Sequence, residues 1–152
     1  MLVFLDLDGV LCREGSAPFK LETHLLRRFE TMMRLLPGAE IVIASAWRAG
    51  FPLAEIRAHF SGDIRPRIVG GTPMLLGDPN HRRHREVLGH VSQHAPDGHA
   101  WVAVDDQQEN YPVRDNIRIV DPRTGFDIAA AAWLLMMGRR YGADRPSTQE
   151  AE

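Results

Sequence analysis

The chain has 152 residues, the length of a single domain, and its hydrophobic and charged fractions of 44% and 25% are those of a globular protein. Eighteen Lys and Arg residues nearly balance twenty Asp and Glu residues, so the formal charge of −2 excludes a polycation that coats nucleic acid or an anionic membrane. The one cysteine, Cys12, excludes an internal disulfide and a multi-cysteine zinc site. We therefore expect a soluble, cytoplasmic domain with no signal peptide, no membrane-spanning segment and no obligate protein partner.

Short apolar runs alternate with segments of helical periodicity along almost the whole chain. The predicted strands are Leu2–Leu5, Ile41–Ala44, a weaker Arg67–Val69 closed by two glycines, Trp101–Val104 and Ile117–Val120. Most of these runs are rich in Val and Ile, and their apolar residues are nearly continuous rather than alternating, which is typical of strands buried on both faces. The predicted helices cover 21–36, 53–60 after a proline, a segment around 87–91 that opens at 81–86, and 127 to about 141.

The alternation of strands and helices predicts an α/β fold, a three-layer, doubly wound parallel sheet with right-handed crossovers. We assign residues 1–142 to this domain and residues 143–152 to a polar, flexible tail. In such sheets ligands bind at the carboxyl ends of the strands, where the strand order reverses. The residues that follow the strands are therefore the first candidates for chemistry.

Two aspartates leave the first predicted strand, within the sequence Asp6-Leu-Asp-Gly-Val-Leu11. Asp6 and Asp8 lie on the same side of the strand, with their Cα atoms about 7 Å apart. At that separation each carboxylate raises the pKa of the other unless a cation or hydrogen-bond donors compensate. A solvated turn is the alternative interpretation. A calcium loop is excluded, because Leu11 and Ala17 occupy the positions that need glycine and glutamate.

Two further carboxylates, Asp105 and Asp106, end the fourth strand. A capped turn would explain them alone. Together with Asp6 and Asp8, however, they place four carboxylates at one edge of the sheet. Such a cluster needs a hard divalent cation with oxygen ligands, and Mg²⁺ fits best.

Candidate phosphate ligands follow the second strand and open the third helix. Ser45 can donate one hydrogen bond and Arg48 a bidentate pair to an anionic oxygen, although Ser45 could simply cap the next helix. The segment His81–Glu86 contains three arginines, and cations at a helix N-terminus oppose the helix dipole unless an anion compensates. A solvated basic face is the alternative, but the placement favours at least one arginine facing a phosphate.

Three other features have simpler structural interpretations. His90 and His94 are four residues apart and could share a metal, but a helix surface explains them as well. The segment Gly70–Pro73 matches neither a phosphate loop nor a dinucleotide fingerprint and indicates a turn. Cys12 has no evident partner for thiol catalysis, so we interpret it as a packed free thiol.

The ordered set of strand-end residues resembles the four motifs of the haloacid dehalogenase (HAD) superfamily of phosphatases. The matching positions are Asp6–Leu11, Ser45, a basic residue near Arg83, and Asp105–Asp106. More narrowly, Ser45–Arg48, Gly71–Pro73, Arg83-x-x-Glu86-Val87 and Val104–Asp106 resemble the small HAD domains of Swiss Army Knife RNA repair proteins. One departure is that the third motif usually holds lysine, whereas the only lysine here is Lys20, outside that place.

The resemblance implies a Rossmann-like Mg²⁺-dependent phosphomonoester hydrolase that forms an aspartyl-phosphate. Asp6 would be the nucleophile and Asp8 the general acid and base. Asp6, the main-chain carbonyl of Asp8, and Asp106 would hold Mg²⁺, with Asp105 supporting directly or through water; which of the two last aspartates is the direct ligand stays open. A non-catalytic binding module and a phosphotransferase to an acceptor other than water are the alternatives.

The resemblance also implies how the phosphate is held and how open the site is. Ser45 and Arg83 would bind the phosphoryl oxygens with Arg48 nearby, although Arg82 or Arg85 could replace Arg83. About 33 residues separate the first motif from Ser45 and about 37 separate Ser45 from Arg83, which leaves no room for the cap domain common in the family. An uncapped site suits a phosphate at the end of a large molecule, such as a nucleic-acid end.

Overall fold

In the computed structural model, which describes residues 1–147, five strands form one sheet. They are β1 (Leu2–Leu5), β2 (Glu40–Ile43), β3 (Ile68–Gly71), β4 (Trp101–Asp105) and β5 (Ile117–Ile119). All neighbouring strands are parallel, in the order β3-β2-β1-β4-β5. Because the strand order reverses between β1 and β4, the carboxyl ends of these two strands form the expected ligand crevice.

Helices cover both faces of the sheet. They are α1 (Thr23–Leu35), α2 (Trp47–Gly50), α3 (Leu53–Arg57), α4 (Arg82–His94) and α5 (Ile128–Arg140), with 3₁₀ turns at Arg65–Arg67 and Gln108–Asn110. Apolar side chains of α1, α3 and α5 pack on one face, and those of α4 pack on the other. The predicted three-layer, doubly wound parallel sheet is confirmed, and no cap domain interrupts residues 1–147.

The periodicity arguments locate most elements, because the strands are buried as expected. Val3, Phe4 and Leu5 in the central strand are completely inaccessible to solvent. On α1, Phe29 packs edge-to-face on Phe126 with ring centroids 5.5 Å apart, and Leu25 beside it is also buried. The dispersion and burial energy of such contacts holds α1 against the core of the protein.

Three local predictions are wrong. Gly70 and Gly71 do not close β3 but belong to it, since both pair with β2. Glycine has the main-chain N–H and C=O groups that sheet pairing needs. The predicted helix over 53–60 ends at Arg57, and the short α2 precedes it without a sequence signal. Leu88, placed on the apolar stripe of the third helix, is 44% exposed, whereas Val87 is buried.

The packed structure extends just past the predicted domain end at residue 142. Ala143 is buried; its carbonyl accepts the Gly38 N–H at 2.8 Å and its own N–H donates to the Gly138 carbonyl at 2.7 Å. Residues 148–152 of the predicted tail lie outside the described residues. Within residues 1–147, no helix is long and apolar enough to cross a bilayer.

Candidate active site

The turn after β1 directs two aspartates toward the sheet edge. The Asp6 N–H donates to the Val104 carbonyl at 3.1 Å, so the pairing of β1 with β4 continues to the first aspartate. The Leu11 N–H then donates to the Leu7 carbonyl at 2.9 Å, and both leucines are buried. The apolar residues of the motif therefore anchor the turn, which leaves Asp8 at its exposed side.

Gly9 allows this turn to approach β4 closely. Its φ of +77° lies in the left-handed region, and a Cβ at this position would be 2.2 Å from Oδ2 of Asp106. A side chain here would therefore displace the Asp106 carboxylate. The glycine brings the aspartates of the first and fourth strand ends together.

Three carboxylates meet at the carboxyl ends of β1 and β4. One oxygen each from Asp6, Asp105 and Asp106 lie within 4.8 Å of one another. Asp105 is fully buried, Asp6 is nearly so, and Asp106 is half-buried. The sequence predicted four carboxylates at this edge; the side chain of Asp8 is not part of the group.

Burial and mutual repulsion change the acidity of this cluster. Burial, followed by the negative charges of Asp105 and Asp106, raises the pKa of Asp6 well above its ordinary value. Burial raises the pKa of Asp105 to about 7 and also raises the pKa of Asp106. Three carboxylates that are costly to ionise together need a positive charge, so the cluster fits a hard divalent cation with oxygen ligands.

Asp8 is held by side chains outside the acidic cluster. Its Oδ1 accepts the indole N–H of Trp47 at 2.9 Å and the thiol of Cys12 at 3.4 Å. Sequence reasoning missed the role of Trp47. The signal available was that a buried indole N–H needs an acceptor, and Trp47 comes two residues after Ser45.

Cys12 stays a protonated, packed thiol in this arrangement. Burial and the neighbouring charge of Asp8 raise the pKa of the Cys12 thiol to about 12. A thiol of that acidity is not a nucleophile near neutral pH. This supports the interpretation of Cys12 as a structural residue rather than a catalytic one.

Ser45 lies at the end of β2, beside the first motif. It is completely buried, and its Oγ accepts the main-chain N–H of Trp47 at 3.2 Å. Among residues 1–147, the hydroxyl hydrogen has no acceptor within hydrogen-bond distance. Ser45 therefore accepts a hydrogen bond from the protein, and its own hydroxyl hydrogen stays available to a further acceptor.

Arg48 is engaged by the protein itself. Its Nε donates to the Thr72 carbonyl at 2.9 Å and its Nη1 to the Ser45 carbonyl at 2.6 Å. Its Nη2 donates to the carboxylate of Glu86, with a longer bond to the Pro73 carbonyl. Arg48 thus ties the ends of β2 and β3 to α4, and one Nη1 hydrogen remains uncommitted.

Arg83 is the arginine of α4 that acts on the acidic cluster. Its Nη1 donates to Glu86 at 2.9 Å, and its charge lowers the pKa of both Asp6 and Asp105. Its buried Nε has no hydrogen-bond partner in the part of the chain that the structure describes. The neighbouring Arg82 and Arg85 instead donate Nη2 hydrogen bonds to main-chain carbonyls. The geometry therefore favours Arg83 among the three arginines as the one that meets a phosphate.

Two buried hydroxyls near the site have no hydrogen-bond partner among the residues that the structure describes. Tyr111 is almost fully buried, and burial together with the charge of Asp105 raises the pKa of its phenol well above the ordinary value. The hydroxyl of Thr72, next to the main-chain carbonyl that binds Arg48, is also unpaired. Tyr111 carried no sequence signal, whereas Thr72 lies within Gly71–Pro73, one of the segments on which the family resemblance depends.

The histidine pair on α4 does not form a metal site with a third ligand in the described part of the chain. The rings of His90 and His94 lie 4.6 Å apart, and His90 packs edge-to-face on Phe4 at 5.5 Å. Burial, followed by the charge of His94, lowers the pKa of His90. These contacts explain the pair as helix packing.

Comparisons with known proteins give one match. A family model described as "HAD domain in Swiss Army Knife RNA repair proteins" matches residues 2–131, which include every candidate site residue described above. A search of curated proteins and a search of solved structures found no match.

Proposed function

The chain belongs to the family of HAD domains found in Swiss Army Knife RNA repair proteins, and on this basis we propose that it is a Mg²⁺-dependent phosphomonoester hydrolase. The observation that carries the proposal is the convergence of Asp6, Asp105 and Asp106 where the strand order reverses. A nucleophile and an oxygen-rich cation site at that point support phosphoryl transfer. The same geometry is not needed by a domain that only binds other molecules.

In the proposed reaction Asp6 attacks phosphorus. Its Oδ1 already accepts the N–H of Leu7 at 2.9 Å, so Oδ2 is the oxygen that forms the new bond. As the P–O bond to the leaving group breaks, the leaving oxygen takes a proton from Asp8. Water then attacks the aspartyl-phosphate and gives a proton to Asp8, which releases phosphate and regenerates Asp6.

Asp8 suits this proton transfer because its two oxygens differ. Trp47 and Cys12 both donate to Oδ1, which leaves Oδ2 to exchange the proton. Since the side chain of Asp8 is exposed, it can reach the oxygen of a bound substrate.

The phosphoryl oxygens would be bound from the opposite side of the cluster. Ser45 donates its remaining hydrogen, and Arg83 donates from a guanidinium that Glu86 orients. Arg48 positions these groups, since it binds the Ser45 carbonyl and the same Glu86, and its uncommitted hydrogen is a further donor. Fixed donors of this kind supply most of the transition-state stabilisation in such reactions.

Mg²⁺ would be held by Asp6, Asp106 and the main-chain carbonyl of Asp8, with Asp105 in support. When bound, it offsets repulsion between the nucleophile and the phosphate and stabilises negative charge that develops during transfer. The buried and mutually repelling carboxylates support this assignment. We place the activity in the cytoplasm, where Cys12 would remain reduced.

The substrate class follows from the absence of a cap. With no inserted domain over residues 1–147, the candidate site is open to a phosphate carried by a large molecule. We propose the terminal phosphate of a nucleic acid as that group, in line with the RNA repair proteins for which the family is named.

The test is the release of phosphate from 4-nitrophenyl phosphate with Mg²⁺. We expect turnover that stops with EDTA and in Asp6→Asn, and that persists in the control Asp144→Asn, which changes an exposed aspartate beyond α5. Undiminished turnover by Asp6→Asn would exclude the nucleophile and the mechanism. Transfer of the phosphoryl group to an added alcohol in preference to water would instead identify a phosphotransferase.

A further inference from the structure

Two cavities border the candidate active site and differ in charge. One, of about 470 Å³, lies on the Asp8 side and is named the acidic cavity; the other, of about 320 Å³, lies on the Arg83 side and is named the apolar groove. Gln107 lines both, so the reacting phosphate lies between them. The rest of a large substrate must leave the site along one of the two.

The acidic cavity repels a polyanion. Four of its lining residues are carboxylates: Asp8, Glu14, Asp106 and Glu109. Even with Mg²⁺ bound to Asp106 and a proton on Asp8, Glu14 and Glu109 still carry negative charge. Its one basic residue, Arg13, is compensated by Glu22, which it binds through two hydrogen bonds from Nε and one of 2.8 Å from Nη2. A strand that carries several phosphates is disfavoured there.

The apolar groove has the opposite charge. Three arginines, Arg48, Arg82 and Arg83, line it together with one carboxylate, Glu86, which binds the first and the last of them. Arg82 has no ion-pair partner among residues 1–147, and its buried Nε has no hydrogen-bond partner. The groove therefore has a cation available for a second anionic group beside the reacting phosphate.

One wall of the groove is unusually apolar for a surface. The consecutive residues Met74, Leu75 and Leu76 are 56%, 36% and 92% exposed. Ala49 and Pro79 add further apolar surface to the same groove. Contiguous exposed apolar side chains beside a polar site mark a binding surface, so the occupant combines an apolar surface with negative charge.

We infer that the apolar groove binds the terminal nucleotide of a single-stranded nucleic acid, with its base against Met74 and Leu76 and its next backbone phosphate near Arg82. The inference rests on the phosphatase activity proposed above and adds the surface that selects the substrate. A nucleobase has an apolar face that packs on apolar side chains without regard to sequence, and the strand supplies the second anion. A phosphoserine peptide has neither group at a fixed distance from its phosphate.

The experiment compares kcat/KM for oligoribonucleotides that carry one terminal phosphate, at the 3′ end in one series and at the 5′ end in the other. In each series the terminal nucleotide is either intact or abasic, and 4-nitrophenyl phosphate is the reference substrate. We expect kcat/KM to be about tenfold higher for the intact end than for the abasic end. This is the order of magnitude expected when part of one large apolar group is buried. In Met74→Ser and in Leu76→Ser, the ratio of kcat/KM for the intact end to kcat/KM for the abasic end should fall close to one.

Met136→Ser is the matched control, because Met136 is also 56% exposed but lies on α5, across the sheet from the groove. It should retain the preference for the intact end. Arg82→Ala should reduce the slope of log kcat/KM against log salt by about one for the oligonucleotide, as expected when one phosphate contact is lost.

Equal efficiency on intact and abasic ends, or equal effects of Met74→Ser and Met136→Ser, would overturn the inference while leaving the phosphatase proposal intact. Preference for a phosphoserine peptide over both oligonucleotides would assign the groove to a protein substrate instead. If 4-nitrophenyl phosphate itself is not hydrolysed, the phosphatase proposal fails. Binding of labelled intact and abasic oligonucleotides to the same variants, followed by fluorescence anisotropy, then tests the groove independently of turnover.

Discussion

The two sides of the candidate active site are built in different ways. The acidic side consists of residues at or just after the ends of β1 and β4. The positive charges of Arg83 and Arg48 act on its carboxylates, but within residues 1–147 neither arginine forms an ion pair with them. The basic side consists of residues from the end of β2 and from α4, where Glu86 binds both Arg48 and Arg83. The acidic side thus has negative charges without ion-pair partners and fits a cation, whereas on the basic side one carboxylate holds two arginines in place and a net positive charge remains.

This difference separates binding of the cation from recognition of the phosphate. A mostly buried ion-pair network holds its arginines in place before a ligand binds. The carboxylate cluster, in contrast, changes its protonation when a cation enters. Mutations on the acidic side should therefore affect both catalysis and its pH dependence, and so should loss of Arg83, whose charge lowers the pKa of Asp6 and Asp105.

The largest effect tests whether one arginine dominates the basic side. Arg83→Ala should lower kcat/KM for 4-nitrophenyl phosphate by about 10²–10³-fold, since a fixed, charged donor to the transition state is lost. Glu86 keeps Arg48 as a partner in this variant, so the fold should survive. Steady-state kinetics measure kcat/KM, and thermal unfolding checks that the variant is folded.

Arg82→Ala and Arg85→Ala are the companion variants, because both arginines donate to main-chain carbonyls rather than to Glu86. Each should lose much less activity toward the aryl phosphate. If either loses more than Arg83→Ala, the assignment of the third motif to Arg83 is wrong.

The next effect concerns the proton carried by Asp8. Asp8→Asn should lower kcat for alkyl phosphates by about 10²-fold, because an amide cannot supply a proton to an alkoxide. The loss should be smaller for 4-nitrophenyl phosphate, whose leaving group needs no proton. Dephosphorylation could then limit turnover, and mass spectrometry should detect phosphate on Asp6. Equal losses for alkyl and aryl substrates with no trapped intermediate would move the proton transfer to another group, with Asp105 the first to test.

A smaller effect tests whether Trp47 positions Asp8. Trp47→Phe keeps an aromatic ring against Phe19 and Phe51 but removes the N–H that binds Asp8. We expect kcat for alkyl phosphates to fall by about tenfold, which corresponds to the free energy of one hydrogen bond to a charged group. KM should change little. The loss should again be smaller for the aryl phosphate.

Trp133→Phe is the matched control for that variant, since Trp133 is a partly buried tryptophan on α5 that packs against the core. A purely structural effect of losing an indole would appear in both variants and would not depend on the leaving group. Identical losses for alkyl and aryl phosphates in Trp47→Phe would therefore contradict the positioning role.

The acidic side was largely predictable from sequence, because its aspartates mark the ends of two buried strands that the apolar runs Leu2–Leu5 and Trp101–Val104 locate. The convergence of Asp6 with Asp105 and Asp106 follows from the parallel sheet together with the close approach that Gly9 allows. The sequence could not show that Asp8 leaves the cluster, since that depends on the indole of Trp47 and on a short helix, α2, that has no periodicity signal.

The basic side was harder to predict, because it depends on side-chain partners that are far apart in sequence. Arg48 was expected near the substrate, yet most of its donors bind Thr72, Ser45 and Glu86. Long arginine side chains can reach several acceptors, and only the packing of α4 on the sheet decides among them. The exposed side chains of the apolar groove were invisible for a similar reason, since an isolated apolar run in a loop has no period.

The smallest effect tests the incomplete charge of the acidic side through stability rather than activity. Because burial and neighbouring carboxylates raise the pKa values of Asp6, Asp105 and Asp106, the cation-free folded protein binds more protons than the unfolded chain. The stability that this cluster contributes is therefore present below the ordinary aspartate pKa of about 4. It is lost as pH rises through about 7, the raised pKa of Asp105.

Mg²⁺ should reverse that loss, because it binds the ionised carboxylates of the folded state. At about 100 times its Kd, it should raise the free energy of unfolding by about 2.7 kcal/mol, or the Tm by about 5–10 °C for a chain of this length. The increase should be larger near pH 8 than near pH 5, since protons compete for the same oxygens at low pH. Thermal unfolding followed by circular dichroism, in EDTA and in Mg²⁺ at both pH values, measures it. In EDTA, the decline of Tm with rising pH should be less steep in Asp105→Asn and unchanged in the control Asp144→Asn. If the increase in Tm caused by Mg²⁺ does not depend on pH, these carboxylates are not the ligands.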